Sequence, residues 1–215
     1  MKTSRGGFVV LEGLDGSGTT TQAHLLDRHL RDRGIRTVLT REPTDHAIGR
    51  LIRAALSGQP VSEGGLGEIA LSEEALCLLF AADRIEHTRD IETFRERGDY
   101  VVCDRYILSS IAYQSLDPLI APERVVEVNR GIAVPDITFL LDVPVDECLK
   151  RLEKRNDSPT IYERKDKLVA IAANYEASLS LYQDHYGSLI RIDGTKPPDA
   201  VHAAILGHLS PHLEG

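Results

Sequence analysis

The residues best suited to chemistry lie in one run, Glu12-Gly13-Leu14-Asp15-Gly16-Ser17-Gly18-Thr19-Thr20-Thr21-Gln22. Its glycines let the backbone fold tightly and turn successive N–H groups into one concavity, an anion cradle. The apolar run Phe8–Leu11 precedes it, and a helical pattern with Leu25, Leu26 and Leu30 on one side follows. Strand, glycine-rich turn and helix in that order are the context of a phosphate-binding P-loop, whose helix contributes free N-terminal donors and the positive end of its dipole. Gly13, Asp15, Gly16, Ser17, Gly18, Thr19, Thr20 and Thr21 are thus the candidate residues for binding the nucleotide, with Thr20 a candidate metal contact. One position departs from the pattern G-x-x-x-x-G-K-[ST]. Thr19 stands where lysine is usual, so the loop keeps its glycines in register and lacks one positive charge. Taken alone, the segment also reads as a structural glycine-rich turn.

Other polar residues fall where a ligand would meet them. Asp104-Arg105-Tyr106 ends the apolar run Tyr100–Cys103, and in open α/β sheets ligands sit beyond the carboxyl ends of strands. Asp104 could hold a metal ion or its water and Arg105 could neutralise a phosphate, or the two could form a structural ion pair. Ser109, Ser110, Tyr113 and Gln114 follow at one-turn spacings and offer polar groups to a base edge or sugar. Phe80 and Arg84 are four apart and share a helix face. Together they could sandwich and hydrogen-bond a flat base; singly they read as a core ring and a surface salt-bridge partner. Lys150, Arg151, Lys154 and Arg155 crowd a helix end, the polar break 156–160 follows, and Tyr162-Glu163-Arg164-Lys165 adds charge. Beside a P-loop this reads as a closing lid that brings arginines over phosphates; elsewhere it would be a solvated face.

The elements that must position these residues read as α/β. Five apolar runs, Phe8–Leu11, Thr37–Leu39, Tyr100–Cys103, Ile137–Leu141 and Leu189–Ile192, are continuous rather than alternating, which suits a parallel sheet buried on both faces. Helical patterns separate them: about Thr20–Arg33, Ile48–Leu56, a long helix from the cap Ser72 to before Gly98, one from about Val145, one over Asp166–Tyr186 and one over Asp199–Leu209. In the long helix Leu76, Leu79, Phe80 and Ile85 read as the buried stripe, and in the Asp166–Tyr186 helix the tyrosines read as packing residues. The glycine-rich stretch 57–67 reads as a loop, either a substrate-side flap or a surface insertion. The 215 residues suit one domain, 1–215. With 25 basic against 33 acidic residues the net charge is −8, which argues against nucleic acid and anionic membrane as partners. An anionic substrate must then be met by clustered arginines. Three scattered cysteines without metal spacing, and no apolar run near membrane length, predict a soluble, cytoplasmic protein.

Placed together, these segments resemble thymidylate kinase of the bacterial type over essentially the whole chain. The resemblance is carried, in fixed order, by Glu12-Gly-Leu-Asp-Gly-Ser-Gly18, Thr40-Arg-Glu-Pro43, Leu79-Phe-Ala-Ala-Asp-Arg84, Asp104-Arg-Tyr106 with Ser110-Ile-Ala-Tyr-Gln114, and the basic lid with Tyr162-Glu163. It implies the P-loop nucleoside monophosphate kinase fold, a five-stranded parallel sheet with a small lid at about 150–165, and γ-phosphoryl transfer from ATP to dTMP with Mg²⁺. It further implies that Phe80 stacks on thymine, Arg84 addresses its carbonyl edge, and Ser110 and Gln114 read the rest. Tyr113 crowds the 2′ position, Arg53 and Arg105 hold the acceptor phosphate, and Glu42 with Asp15 lies near the 3′-hydroxyl and metal. The implied catalytic set is Asp15, Arg105, Arg151 and Arg155, and the implied assembly a homodimer. Gly16 occupies the position where some members carry a basic loop residue, so the lid-arginine variety is the better match. Thr19 is where the match fails: losing a donor-phosphate contact costs on the order of 3 kcal/mol of transition-state stabilisation. Lys154, Arg155 or Arg164 could supply the charge, the enzyme could be slow, or the chain could be a nucleotide-binding regulator. Another nucleoside monophosphate kinase is the nearest alternative activity.

Overall fold

Burial on both faces explains why the strands read as continuous apolar runs. A computed structural model describes residues 5–57, 71–154 and 161–213. Among them β1 (Phe8–Gly13), β2 (Thr37–Arg41), β3 (Tyr100–Asp104), β4 (Ile137–Asp142) and β5 (Leu189–Asp193) form one all-parallel sheet in the order β2-β3-β1-β4-β5. All six residues of β1 are buried. The strand that carries the P-loop is therefore central.

Helices α1 (Thr19–Asp32) and α8 (Pro198–Leu213) cover one face, where Leu26, Leu30, Val201, Ile205 and Leu209 pack on Val9, Leu11 and Phe139. The other face carries α3 (Glu73–Glu96), α4 (Ile107–Gln114), α5 (Pro122–Val128), α6 (Val145–Glu153) and α7 (Ile161–Tyr186), with α2 (Ala47–Leu56) against α3. Ser72 caps α3 as expected, its hydroxyl accepting from the Ala75 amide at 3.2 Å. Two elements differ from expectation. α5 was not anticipated, and α7 starts at Ile161 rather than near Asp166, because its first turn is charged and lacks an apolar stripe.

The buried stripe of α3 also needs correction. Ile85 is 45% exposed, whereas Asp83, Arg84 and His87 are buried. The inward face of this helix is polar at its middle, so counting apolar residues rotates the stripe. At the opposite end of the sheet, Arg95 donates to both Asp136 oxygens at 2.9 Å and to the Gly6 carbonyl, while Asp136 accepts the Phe8 amide at 2.6 Å. That arginine ties strand starts together, far from the P-loop edge. The glycine-rich stretch from residue 58 onward and the polar break 156–160 lie outside the described residues.

Leu26 is fully buried between α1 and the sheet. Leu26→Ala should lower the unfolding free energy by about 3 kcal/mol, read from urea denaturation. A loss under about 1 kcal/mol would mean that this helix is not held by that contact.

Candidate active site

The P-loop connects the end of central β1 to the start of α1, so its shape is fixed at both ends by buried elements. Gly16 has φ +85° and Gly18 φ +102°, conformations that side chains resist. At Gly16 space forbids a side chain as well, since a Cβ would sit 2.6 Å from the Cys148 carbonyl on α6. Gly18 precedes α1, whose first amides have no intrahelical acceptor and suit an anion. The Ser17 hydroxyl is buried without a partner, and Thr19 is buried at the helix start. The Thr20 hydroxyl donates to Asp104 Oδ2 at 2.5 Å, while Asp104 Oδ1 is buried and unpartnered. One hydroxyl, one carboxylate and neighbouring phosphate oxygens are the donor set that Mg²⁺ takes. The residues present fit that ion.

Beside the loop opens a cavity of about 800 Å³, lined among others by Asp15, Glu42, Phe80, Arg84, Arg105, Ser110, Tyr113 and Gln114. Four segments distant in sequence thus meet there. Arg84 is 1% exposed, and its guanidinium is held by Glu42 at 2.7 Å, Asn129 Oδ1 at 2.7 Å and Ser110 Oγ at 2.7 Å. His87 Nδ1 contacts the other Glu42 oxygen at 2.9 Å, and Asp83 accepts the amide and hydroxyl of Thr44. Gln114 Oε1 is buried without a partner at the cavity lining, an acceptor ready for an N–H. Of the predicted substrate-binding residues, Arg53 does not join the cavity lining. It donates instead to the Pro43 carbonyl and to Asp45 at 2.8 Å.

Arg105 links loop and cavity. Its backbone is left-handed, φ +69°, and its Nη2 donates to Asp15 Oδ1 at 2.7 Å. The alternative in which Asp104 and Arg105 form an ion pair with each other is not seen among the described residues, because the strand end sends Asp104 toward Thr20 and Arg105 toward Asp15. The guanidinium also lies 5.6 Å from the centre of the Tyr113 ring. Burial pushes the Tyr113 hydroxyl up to about 12, so it is a donor at neutral pH. Below Arg105 the wholly buried Glu12 accepts the Tyr106 and Ser109 amides at 2.9 and 3.1 Å and the Ser109 hydroxyl at 2.5 Å.

Arg151, on α6, reaches the loop from the other side. It donates to the Ser17 carbonyl at 3.3 Å and the Gly194 carbonyl at 3.0 Å, with Glu147 at 3.1 Å. Arg155 lies outside the described residues, as do the side chains of Tyr162, Glu163 and Arg164. Sequence reasoning assigned no separate role to Glu12, Asp83, His87 or Asn129, and it read Tyr175 as packing. For Asp83 and His87 a signal existed, polar residues one turn apart on the face that carries Arg84. For Asn129 there was none.

Known proteins resemble this chain over almost its whole length. The family profile described as thymidylate kinase matches residues 11–205. A protein named "Probable thymidylate kinase" from Pyrococcus horikoshii is 37% identical over 212 residues, 98% of this chain and 99% of its own length. Another so named from Methanocaldococcus jannaschii is 39% identical over 208 residues, 95% and 97% of the two chains. One from Methanococcus aeolicus is 37% identical over 204 residues.

Glu12 gives the site a pH signature. Burial raises its carboxyl above the ordinary value, against the opposing hydrogen bonds from Ser109 and Tyr106 and the Arg105 charge. A folded value above the unfolded one contributes stability that is present at low pH and lost as pH rises through the folded value. Glu12→Gln keeps an acceptor for the two amides and removes the ionisation. Its unfolding free energy relative to the parent should therefore climb with pH from the ordinary carboxylate range upward, in urea titrations at stepped pH. A flat or falling difference would contradict the assignment.

Proposed function

The chain belongs to the thymidylate kinase family, and on that premise we propose how its residues carry out the reaction. The protein is a P-loop kinase that transfers the γ-phosphoryl group of ATP to dTMP, giving ADP and dTDP. The observation that carries the residue assignment is the junction of an anion-binding loop with a cavity that offers a ring, a fixed guanidinium and a free amide oxygen. Thymine stacks on Phe80, its carbonyl edge faces Arg84, and Ser110 and Gln114 meet the remaining edge. Tyr113 occupies the space that a 2′-hydroxyl would need, and Glu42 and Asp15 border the sugar. Arg105 exchanges Asp15 for the acceptor phosphate, with Arg53 swinging from Asp45 to join it. The loop amides from Gly13 to Thr21 hold the donor phosphates. Thr20, and Asp104 directly or through water, would hold Mg²⁺, which would supply charge neutralisation between donor and acceptor.

Phosphoryl transfer needs positioning and charge more than covalent participation by the protein. Thr19 leaves a deficit of one cation in the loop, and Arg151 is our assignment for the substitute. Its guanidinium already touches the Ser17 carbonyl, so a small rotation brings it to the donor phosphates. Arg155 and the rest of the segment at about 150–165 complete the lid. We further read the protein as a cytoplasmic homodimer. Three buried free cysteines suit a reducing compartment. Leu78 and Ile85, seven residues apart on the outer side of α3 and each 45% exposed, suit cover by a partner helix. No helix among the described residues is long and apolar enough to cross a membrane.

Coupled ADP release with ATP, Mg²⁺ and a panel of dTMP, dUMP, AMP, CMP and GMP tests the acceptor. Preference for dTMP is expected; preference for another acceptor overturns the pocket assignment, and nucleotide binding without turnover marks a regulator. Arg151→Ala should lower kcat by about a hundredfold, the scale of one lost oxyanion donor. Thr19→Lys should leave activity unchanged or lower it. A large gain would show that the missing charge is not compensated.

A further inference from the structure

The tyrosines of α7 read as packing residues in the sequence, and one of them does more. Tyr175 is buried, and its hydroxyl lies 3.1 Å from the Gly13 carbonyl, 2.8 Å from Ser109 Oγ and 3.3 Å from Glu12 Oε2. Gly13 opens the P-loop. Ser109 sits in the first turn of α4, and its hydroxyl is 3.4 Å from Arg105 Nη1. One phenol therefore touches the backbone of the donor loop and, through a single serine, the arginine at the acceptor side. We propose that Tyr175, acting with Ser109 and Glu12, is a positioning residue that fixes the separation between the donor loop and Arg105.

Hydrogen accounting supports a directed chain. Glu12 Oε1 is used by the Tyr106 and Ser109 amides, which clamps the left-handed turn at Arg105. Glu12 Oε2 takes the Ser109 hydroxyl proton at 2.5 Å, leaving Ser109 Oγ as an acceptor. Tyr175 then has one proton for three acceptors, Ser109 Oγ, the Gly13 carbonyl and, at the longest distance, Glu12 Oε2. Burial beside the Glu12 charge keeps that proton on the phenol, well above its ordinary range. Gly13 has no side chain through which α7 could grip it, so its carbonyl is the handle. On the far side Asp15 closes the ring onto Arg105. Loop and arginine are thus joined by a direct ion pair and by the Tyr175–Ser109 path. The direct pair must open when phosphate arrives, whereas the tyrosine path can persist through the reaction.

In-line transfer is sensitive to this separation, since a displacement of about 1 Å costs about a hundredfold in rate. Each half-site keeps its own ligand contacts when the tie is cut, so the loss belongs in kcat rather than in KM. The inference rests on the kinase reading above. Absence of turnover by the unsubstituted chain would be the failure of that reading, whereas failure of the inference shows in variants of an active parent.

The test is steady-state kinetics on Tyr175→Phe, Ser109→Ala and the double variant, with Tyr182→Phe as control. Tyr182 is on the same helix, also buried, and its hydroxyl pairs with Thr138 at 2.7 Å, away from the loop. Both single variants should lose about tenfold or more in kcat, with KM for dTMP and ATP within about twofold and full nucleotide-binding stoichiometry. The double variant should fall no further than the worse single, because both cut one path. Tyr182→Phe should lower Tm comparably and keep kcat. An unchanged kcat in Tyr175→Phe, additive losses in the double variant, or an equal kcat loss in Tyr182→Phe would each overturn the proposal.

Discussion

Repulsion between two phosphate-bearing ligands is the constraint on which the site depends. The chain carries a net charge of −8, so positive charge has to be concentrated locally and held there before any ligand arrives. The parallel sheet provides the place, since β1 and β3 end side by side and Arg105 follows directly from β3. Free guanidinium groups at such an edge would repel one another and would be hydrated in many orientations. Each is instead parked on a carboxylate: Arg84 on Glu42, Arg105 on Asp15, Arg53 on Asp45.

These three pairs are not equivalent. Arg84 and Glu42 are almost fully buried and satisfied on every side by Ser110, Asn129 and His87. Breaking such a pair by removing one partner is strongly unfavourable, so Arg84 is a fixed fixture that presents an edge rather than a mobile grip. Asp15 and Asp45 are more than half exposed, so water can replace them at small cost. In the assignment proposed above, fixed charge therefore lies toward the base end of the cavity and exchangeable charge toward the phosphate end. That gradient matches a ligand whose base must be recognised and whose phosphate must move into line.

The strands and the P-loop were legible because both are written in short-range pattern: continuous apolar runs, glycines at fixed intervals, a helix directly after. Most residues that line the cavity beside the loop were legible as residue types at helical spacing. Their partners were not. Glu42 and Asn129 lie 42 and 45 residues from Arg84 on either side, and no periodicity reports what stands opposite a guanidinium across a cavity. Tyr175 makes the same point from within one helix. Spacing placed it correctly on the inward face of α7, but only the register of α7 against β1 and α4 reveals where its hydroxyl ends. Ile85 failed for the opposite reason, since the face that the hydrophobic count sought is occupied by Asp83, Arg84 and His87.

The strand order carries a further consequence for how the molecule yields to heat. β1 is flanked by β3 and β4, whereas β2 is an edge strand with three of its five residues half-buried. Local opening begins where few strand partners and little buried apolar surface hold the backbone. The donor loop hangs from the least deformable strand, and the Thr40–Pro43 segment that carries Glu42 hangs from one of the most deformable. On warming, amide protection should therefore disappear along the β2 side of the cavity before it is lost at the loop that follows β1. Adaptation of the protein to a hotter setting would thus act first on the β2 edge and the helix packed beside it.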